Sequence, residues 1–194
     1  FVEKLRNIGV NIIVVEDTRE HDTPDSIFPN NWVSFHSDGK VGLYPMYAQN
    51  RRNERRKDIL DLLVGSHGFS ILDVKDYTYF EEDEEYLEGT GSMVLDRENK
   101  LCYAAISVRT SRSTLIKFCN DFGYKLVCFT ANQDVGGKRM PIYHTNVMMC
   151  VADKFAIICL DTIDNKDERE NVVNTLMNSD KDIIEITEYQ KKRF

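Results

Sequence analysis

His144, set between Tyr143 and Thr145, stands directly ahead of the apolar run 147–151. Glu88 holds the matching place in an earlier stretch, Tyr86-Leu-Glu-Gly-Thr-Gly91, where the glycines allow close backbone approach beside a carboxylate. An imidazole and a carboxylate at a common mouth are the parts of a general acid/base relay. Each also has a plain structural reading, as a strand-entrance histidine and a strand-entry turn. The Gly-Thr-Gly stretch is no phosphate loop, because the Lys-Ser/Thr that should follow is absent.

Two further clusters could hold a ligand. In Pro24-Asp-Ser-Ile-Phe-Pro-Asn-Asn31, the residues Asp25, Phe28, Asn30 and Asn31 offer a polar clamp beside an aromatic wall, or a turn whose asparagines satisfy local backbone groups. Arg109, in Ser107-Val-Arg-Thr110, can grip a carboxylate with both arms of its guanidinium or simply stay on the surface. The histidines His21, His36, His67 and His144 have no metal-ligand spacing, so neither a metal nor another cofactor is expected.

The elements that must position these residues follow one repeated order. Asn31 opens a run to His36, followed by an Asp38-Gly39 turn, the run 41–44, a charged helical stretch 51–64, and the alternating strand 69–74. Ser92 opens a second round: strand 92–95, turn 97–100, strand 101–106, helix 113–122, strand 124–129. A third runs through 146–151, the turn Asp153-Lys154, strand 155–160, a helix from Asn165, and strand 182–186. A hairpin, helix and strand recurring at roughly 50 to 60 residues marks units that stack or ring an axis. The candidate residues enter successive units, so a ring would gather them at one end.

The rest of the chain is ordinary for a globular body. It has 194 residues, a formal charge of −7 and no Pro/Gly/Ser-rich linker, which reads as one continuous domain over residues 1–194. That charge argues against nucleic-acid binding, and no apolar stretch is long enough for a membrane. Arg51, Arg52, Arg55, Arg56 and Lys57 sit beside Glu54, Asp58 and Asp61, as on a solvated helix face. The acidic run 81–85 reads as a solvated loop, and the segments 17–29, 75–87 and 131–143 as long irregular connections. Five cysteines, mostly within apolar strands, suit buried reduced thiols in a cytoplasmic protein; Cys150 reads as a core thiol, too far along its strand from His144 to act with it. Helix 2–8 followed by strand 10–15 resembles the tail of a unit without its hairpin, so an internal portion of a longer chain is expected.

Together, Pro-Asp-Ser-Ile-Phe with two polar residues after it, Leu-Glu-Gly-Thr-Gly, Ser-Val-Arg-Thr and Tyr-His-Thr-Asn resemble, in that order, the arginine deiminase and amidinotransferase superfamily, the penteins. The citrulline-utilisation hydrolases are the branch most similar, and the resemblance spans essentially the whole chain. It implies an α/β propeller of five ββαβ units, here incomplete, with about three full units plus part of another and without the last. It also implies that His144 is the general acid/base and that Glu88 orients it and holds a substrate nitrogen. Asp25, Phe28, Asn30 and Asn31 would line the pocket, and Arg109 would bind the α-carboxylate of a small amino-acid substrate. The cysteine nucleophile of such enzymes belongs to the absent last unit.

Members acting on guanidinium cations commonly carry carboxylates in the clamp, and deiminases often have His-x-Asp where this chain has His144-Thr-Asn146. Amides at both places suit a neutral ureido group, which offers donors and an acceptor but no charge to offset a buried carboxylate. The expectation is hydrolysis of a C–N bond at the ureido or guanidino carbon of a citrulline- or arginine-like small molecule by a Cys-His-Glu mechanism, with the neutral ureido group preferred. A non-catalytic binding or structural fragment of the fold is the alternative. Unpaired strand edges in an incomplete ring would favour association, including homo-oligomers.

Overall fold

A computed structural model describes residues 1–18 and 20–193. After the short helix α1 (Val2–Asn7), the chain builds three units of one topology. The first has β1 (Val33–Phe35), β2 (Lys40–Leu43), α2 (Lys57–His67) and β3 (Asp73–Asp76). A single helical turn, α3 (Gly89–Ser92), then leads into β4 (Val94–Asp96), β5 (Leu101–Ala105), α4 (Arg112–Phe122) and β6 (Lys125–Phe129). An extra hairpin, β7 (Asn132–Val135) and β8 (Lys138–Pro141), precedes the third unit: β9 (Met149–Val151), β10 (Phe155–Ile158), α5 (Lys166–Asn178) and β11 (Asp182–Glu185). The helix α6 (Glu188–Lys191) ends the described chain.

In every unit the first two strands pair antiparallel and the third, returning after the helix, pairs parallel with the second. Local signals set the boundaries. Gly68 and Gly123 close α2 and α4 in the left-handed region, at φ 71° and 70°, where a Cβ is disfavoured. Asn165 caps α5 by accepting from the amides of Asp167 and Glu168.

Burial ranks the units. β5 is buried along its whole length: Leu101, Tyr103 and Ala105 join a core shared with the third unit, while Cys102 and Ala104 pack with Leu115 and Phe118 of α4 and with Tyr44 of the first. Continuous apolar sequence here does mean a strand covered on both faces. The same expectation fails for the third unit. Met149, Ala156 and Ile158 are buried with Val172 and Leu176 of α5, but Cys150 and Ile157 border an open cavity of about 500 Å³, and Cys150 is exposed. Cys102, Cys119 and Cys159 are buried and Cys128 is half-buried, all as free thiols.

Other expectations change as well. Residues 10–15 join no sheet among the described residues; a β-rich segment becomes a strand only where a neighbour takes its amides and carbonyls. Segment 131–143 is largely the β7–β8 hairpin, turned by Gly136 and Gly137 at φ 61° and 80°. The charged stretch from Arg51 begins as a 3₁₀ turn, Gln49–Glu54, ahead of α2, and Arg51 and Glu54 turn inward while Arg52 stays partly exposed. Glu81 is not a solvated residue: it accepts from the Met46 amide at 2.7 Å and pairs with Arg52 and Arg55. Among the described residues no helix is long and apolar enough to cross a membrane.

Candidate active site

The ends of the strands where the units begin do converge. His144 Nε2 lies 2.6 Å from Glu88 Oε2, with the Glu88 side chain fully buried and His144 nearly so. Bonding to a carboxylate fixes the Nε2–H tautomer and the plane of the ring. Glu88 Oε1 accepts from the Tyr47 amide at 3.0 Å, and Oε2 also accepts from Arg109 Nη1 at 3.1 Å. Burial alone would raise the Glu88 carboxyl. The His144 hydrogen bond, the Arg109 charge and the Tyr47 N–H outweigh it and hold the group below its ordinary range.

Backbone geometry explains how the pair is held. Glu88 starts the single turn α3, its amide donating to Ser92 Oγ at 2.9 Å while that hydroxyl donates to the Arg109 carbonyl at 2.8 Å. Thr145 Oγ1 donates to the Ser92 carbonyl at 2.5 Å and accepts from the Ala105 amide at 2.8 Å, tying the His144 segment onto the second unit. Gly89, at φ 44°, lets the Asn30 carbonyl approach so closely that a Cβ would sit 2.2 Å from it. A Cβ on Gly91 would lie 2.5 Å from Asn31 Nδ2 and 3.0 Å from the His144 ring. Both glycines are required by contact between units.

Arg51 is the residue the sequence reading misplaced. Its guanidinium is buried, gripping Glu54 through Nε at 2.8 Å and Nη2 at 2.9 Å, and giving Nη1 to Asn31 Oδ1 at 2.8 Å. The Arg51–Glu54 spacing of three residues was visible in the sequence, but the Asn31 contact depends on the fold. Asp25 stands more loosely, Oδ2 3.8 Å from Arg51 Nε, and Asn30 Nδ2 donates to Thr90 Oγ1 at 3.2 Å. The Arg109 guanidinium lies over the rings of Tyr47 and Tyr143, at 5.7 and 5.4 Å from their centres, and keeps further donors free.

These groups border one cavity of about 320 Å³. Its lining takes in Asp25, Phe28, Asn30, Asn31, Arg109, His144 and Asn146, together with Arg51, Tyr143 and Val147. Glu88 sits behind that wall, against His144. No cysteine lines it, and Cys150 borders the neighbouring cavity instead. Among the described residues no three His, Cys, Asp or Glu side chains converge as a metal site would require.

The family model described as N,N dimethylarginine dimethylhydrolase, eukaryotic, matches residues 1–194. The chain belongs to that family. With it comes membership of the pentein superfamily of arginine-modifying hydrolases. Apo ArgZ, a cyanobacterial arginine dihydrolase, superposes with a TM-score of 0.72 at 15% identity, over 99% of this chain and 27% of that one. Unliganded AgrE gives 0.70 at 16% identity, over 98% and 25%. A dimethylarginine dimethylaminohydrolase bearing a 4-chloro-2-hydroxymethylpyridine adduct gives 0.56 at 17%, over 87% and 57%. This chain of the dimethylhydrolase family therefore has the α/β fold of the penteins and spans about a quarter of the two longer neighbours. Among proteins of curated function, none matches the sequence significantly.

Proposed function

We propose that the intact protein is a hydrolase that cleaves a C–N bond at the guanidino or ureido carbon of a free amino acid related to arginine. The observation that carries this reading is the buried His144–Glu88 pair, 2.6 Å apart, at the wall of a cavity lined by an arginine and amides. Family membership supports the reaction class. Nucleophilic attack on the carbon by a thiolate breaks the bond to the leaving nitrogen, which takes a proton from His144; His144 then removes a proton from the water that hydrolyses the thioester-like intermediate. An N-terminal domain of ArgZ covalently bonded to a reaction intermediate is among the structural neighbours, which supports a covalent route. Arg109, with donors to spare beyond its bond to Glu88, holds the α-carboxylate at the cavity wall beside the catalytic pair.

The thiolate comes from a cysteine other than the five of this sequence, none of which reaches the cavity. In the same reading, the three units are part of a propeller of five. Two faces support it: Leu72 and Val74 are 78% and 44% exposed on the first unit, and Cys150 and Ile157 border the open cavity on the third. The chain also spans 55% of the N-terminal domain of ArgZ bound to substrate, which leaves room for further units.

Asn31 refines the substrate. Because Arg51 is a donor, the Asn31 oxygen must face it, and the amide NH₂ is left on the side of Gly91 and His144. A guanidinium has only donors and cannot accept from that NH₂, whereas a ureido oxygen can. The pocket therefore prefers a neutral ureido substrate of the citrulline type over arginine. Turnover of citrulline, arginine and Nω-methylated arginines by the full-length protein, beside His144→Ala and Glu88→Gln, tests both levels. Loss of all turnover in both variants supports the relay, and a clear preference for arginine defeats the ureido reading.

The absence of a cysteine at the cavity favours one second reading, a module of the fold that binds the amino acid without cleaving it. A full-length protein that binds citrulline and turns over none of these compounds would establish it.

A further inference from the structure

A second cleft lies at the opposite end of the first two units from the His144–Glu88 pair, roughly 15 Å along the strands by their rise per residue. It has a volume of about 420 Å³ between the β1–β2 and β4–β5 turns, and is bordered by Phe35, His36, Asp38, Arg97, Lys100 and Tyr124. Its donors outnumber its acceptors. Arg97 Nη1 lies 3.3 Å from both the Phe35 carbonyl and His36 Nδ1, and the guanidinium also reaches the Tyr124 hydroxyl. Lys100 lies 4.9 Å over the Tyr124 ring. Neither cation has a carboxylate within ion-pair distance among the described residues. Asp38 is the one carboxylate on the lining, and it is taken by Lys40 at 2.7 Å.

The floor is aromatic and uncharged. The His36 ring lies tilted by 32° against Phe122 with centres 4.1 Å apart, receives Arg97 at Nδ1, and is therefore protonated at Nε2, which faces Ser34 Oγ at 2.9 Å. Ser34 in turn shares a hydrogen bond with Tyr44. His36 also reports the local field. Its pKa falls from 6.5 to about 4, first through burial and then through Arg97, with Lys100 and Lys40 acting in the same direction and Asp38 alone opposing them. On a protein of formal charge −7, a cleft where cations outweigh acids is a local reversal of sign.

We propose that this cleft, between the turns 36–39 and 97–100, binds the oxyanion head of a small molecule, a carboxylate or a phosphate, with Arg97 and Lys100 as its ligands and the His36 and Tyr124 rings as its floor. The site is independent of the catalytic reading, since none of its residues borders the His144 cavity. Arg97 offers its remaining N–H donors to the oxyanion, Lys100 adds a point charge, and the flat walls suit a planar body attached to the anion.

The test follows the His36 ring protons by NMR in the full-length protein, titrated with inorganic phosphate and separately with acetate at constant ionic strength, with chloride as control. The expected result is a saturable shift for an oxyanion and not for chloride, with the His36 pKa rising because the bound charge offsets Arg97 and Lys100. Tighter phosphate assigns a phosphate-bearing ligand and tighter acetate a carboxylate. Lys100→Gln, which removes no hydrogen bond from the fold, is expected to weaken binding about tenfold, the size of one charge-assisted contact. Shifts that are unsaturable and equal for all three salts, or a Lys100→Gln protein that titrates like the parent, would overturn the assignment.

Discussion

Asn31 Oδ1 accepts from Arg51 Nη1 at 2.8 Å, and through that bond a buried ion pair decides which face of the amide meets the pocket. Arg51 is itself held by Glu54, whose side chain is fully buried. The contact spans 20 residues and joins the 3₁₀ turn before α2 to the entrance of β1. In the proposed reading, specificity at the site rests on a fixed charge behind it.

Replacing Arg51 by Met is expected to cost about 3–5 kcal/mol, because Glu54 would be left buried without its counter-ion. The double variant Arg51→Met with Glu54→Gln should recover part of that loss, and urea denaturation of the two measures it. Equal stability of single and double variants would mean that Glu54 gains no support from Arg51.

The two glycines of the Glu88 turn separate stability from geometry. Gly89→Ala puts a Cβ 2.2 Å from a backbone oxygen at a positive φ, and is expected to destabilise by more than about 2 kcal/mol. Gly91→Ala meets side chains, Asn31 Nδ2 at 2.5 Å and His144 at 3.0 Å, which can shift. It should keep most of the stability and lose turnover at least tenfold through a displaced imidazole. Thermal melts beside activity resolve the two, and a fully active Gly91→Ala would remove the need for close packing over the ring.

Much of this was open to sequence reasoning, for physical reasons that differ by residue. The ββαβ order was legible because hairpin, amphipathic helix and strand each leave a periodic signal, and the Asn165 cap because it acts within three residues. His144 and Glu88 could be paired only through the repeat, which sets both at unit entrances. Arg51 was misread because a charged run looks the same whether its partners are water or, as here, Asn31 and Glu54. Cys150 was misplaced because an apolar run cannot say whether the second face of its strand is covered. Gly136-Gly137 was a legible turn signal, overlooked inside a polar segment.

Acid should weaken the fold in two separate windows. His36 is held at about 4 against an ordinary 6.5, so between those values the unfolded chain binds a proton that the folded one refuses. Stability contributed by neutral His36 is present above pH 6.5 and is lost as pH falls towards 4, on the order of 2 kcal/mol for a half-buried ring. Glu88 is lowered, so its contribution is present above the ordinary carboxylate range and disappears at more acid pH, as its folded pKa is crossed. His36→Gln should flatten the stability curve in the upper window and Glu88→Gln in the lower. Denaturation midpoints from pH 3 to 8 give the answer, and a curve for His36→Gln parallel to the parent's would exclude the first assignment.

Arg109 serves both ends of the proposed reaction, and its substitution should show both. Nη1 bonds Glu88 at 3.1 Å, while the remaining donors face the cavity between Tyr47 and Tyr143. Arg109→Lys keeps a charge near Glu88 but loses the planar fork, so KM should rise about 10- to 100-fold with a smaller fall in kcat. Arg109→Gln removes the charge as well and should lower kcat further, because Glu88 then loses one of the interactions that keep it ionised. A substrate analogue lacking the α-carboxylate completes the cycle: it should be turned over poorly by the parent and no worse by Arg109→Lys. If the lysine variant instead handicaps both substrates equally, the arginine acts on Glu88 alone and the carboxylate is bound elsewhere.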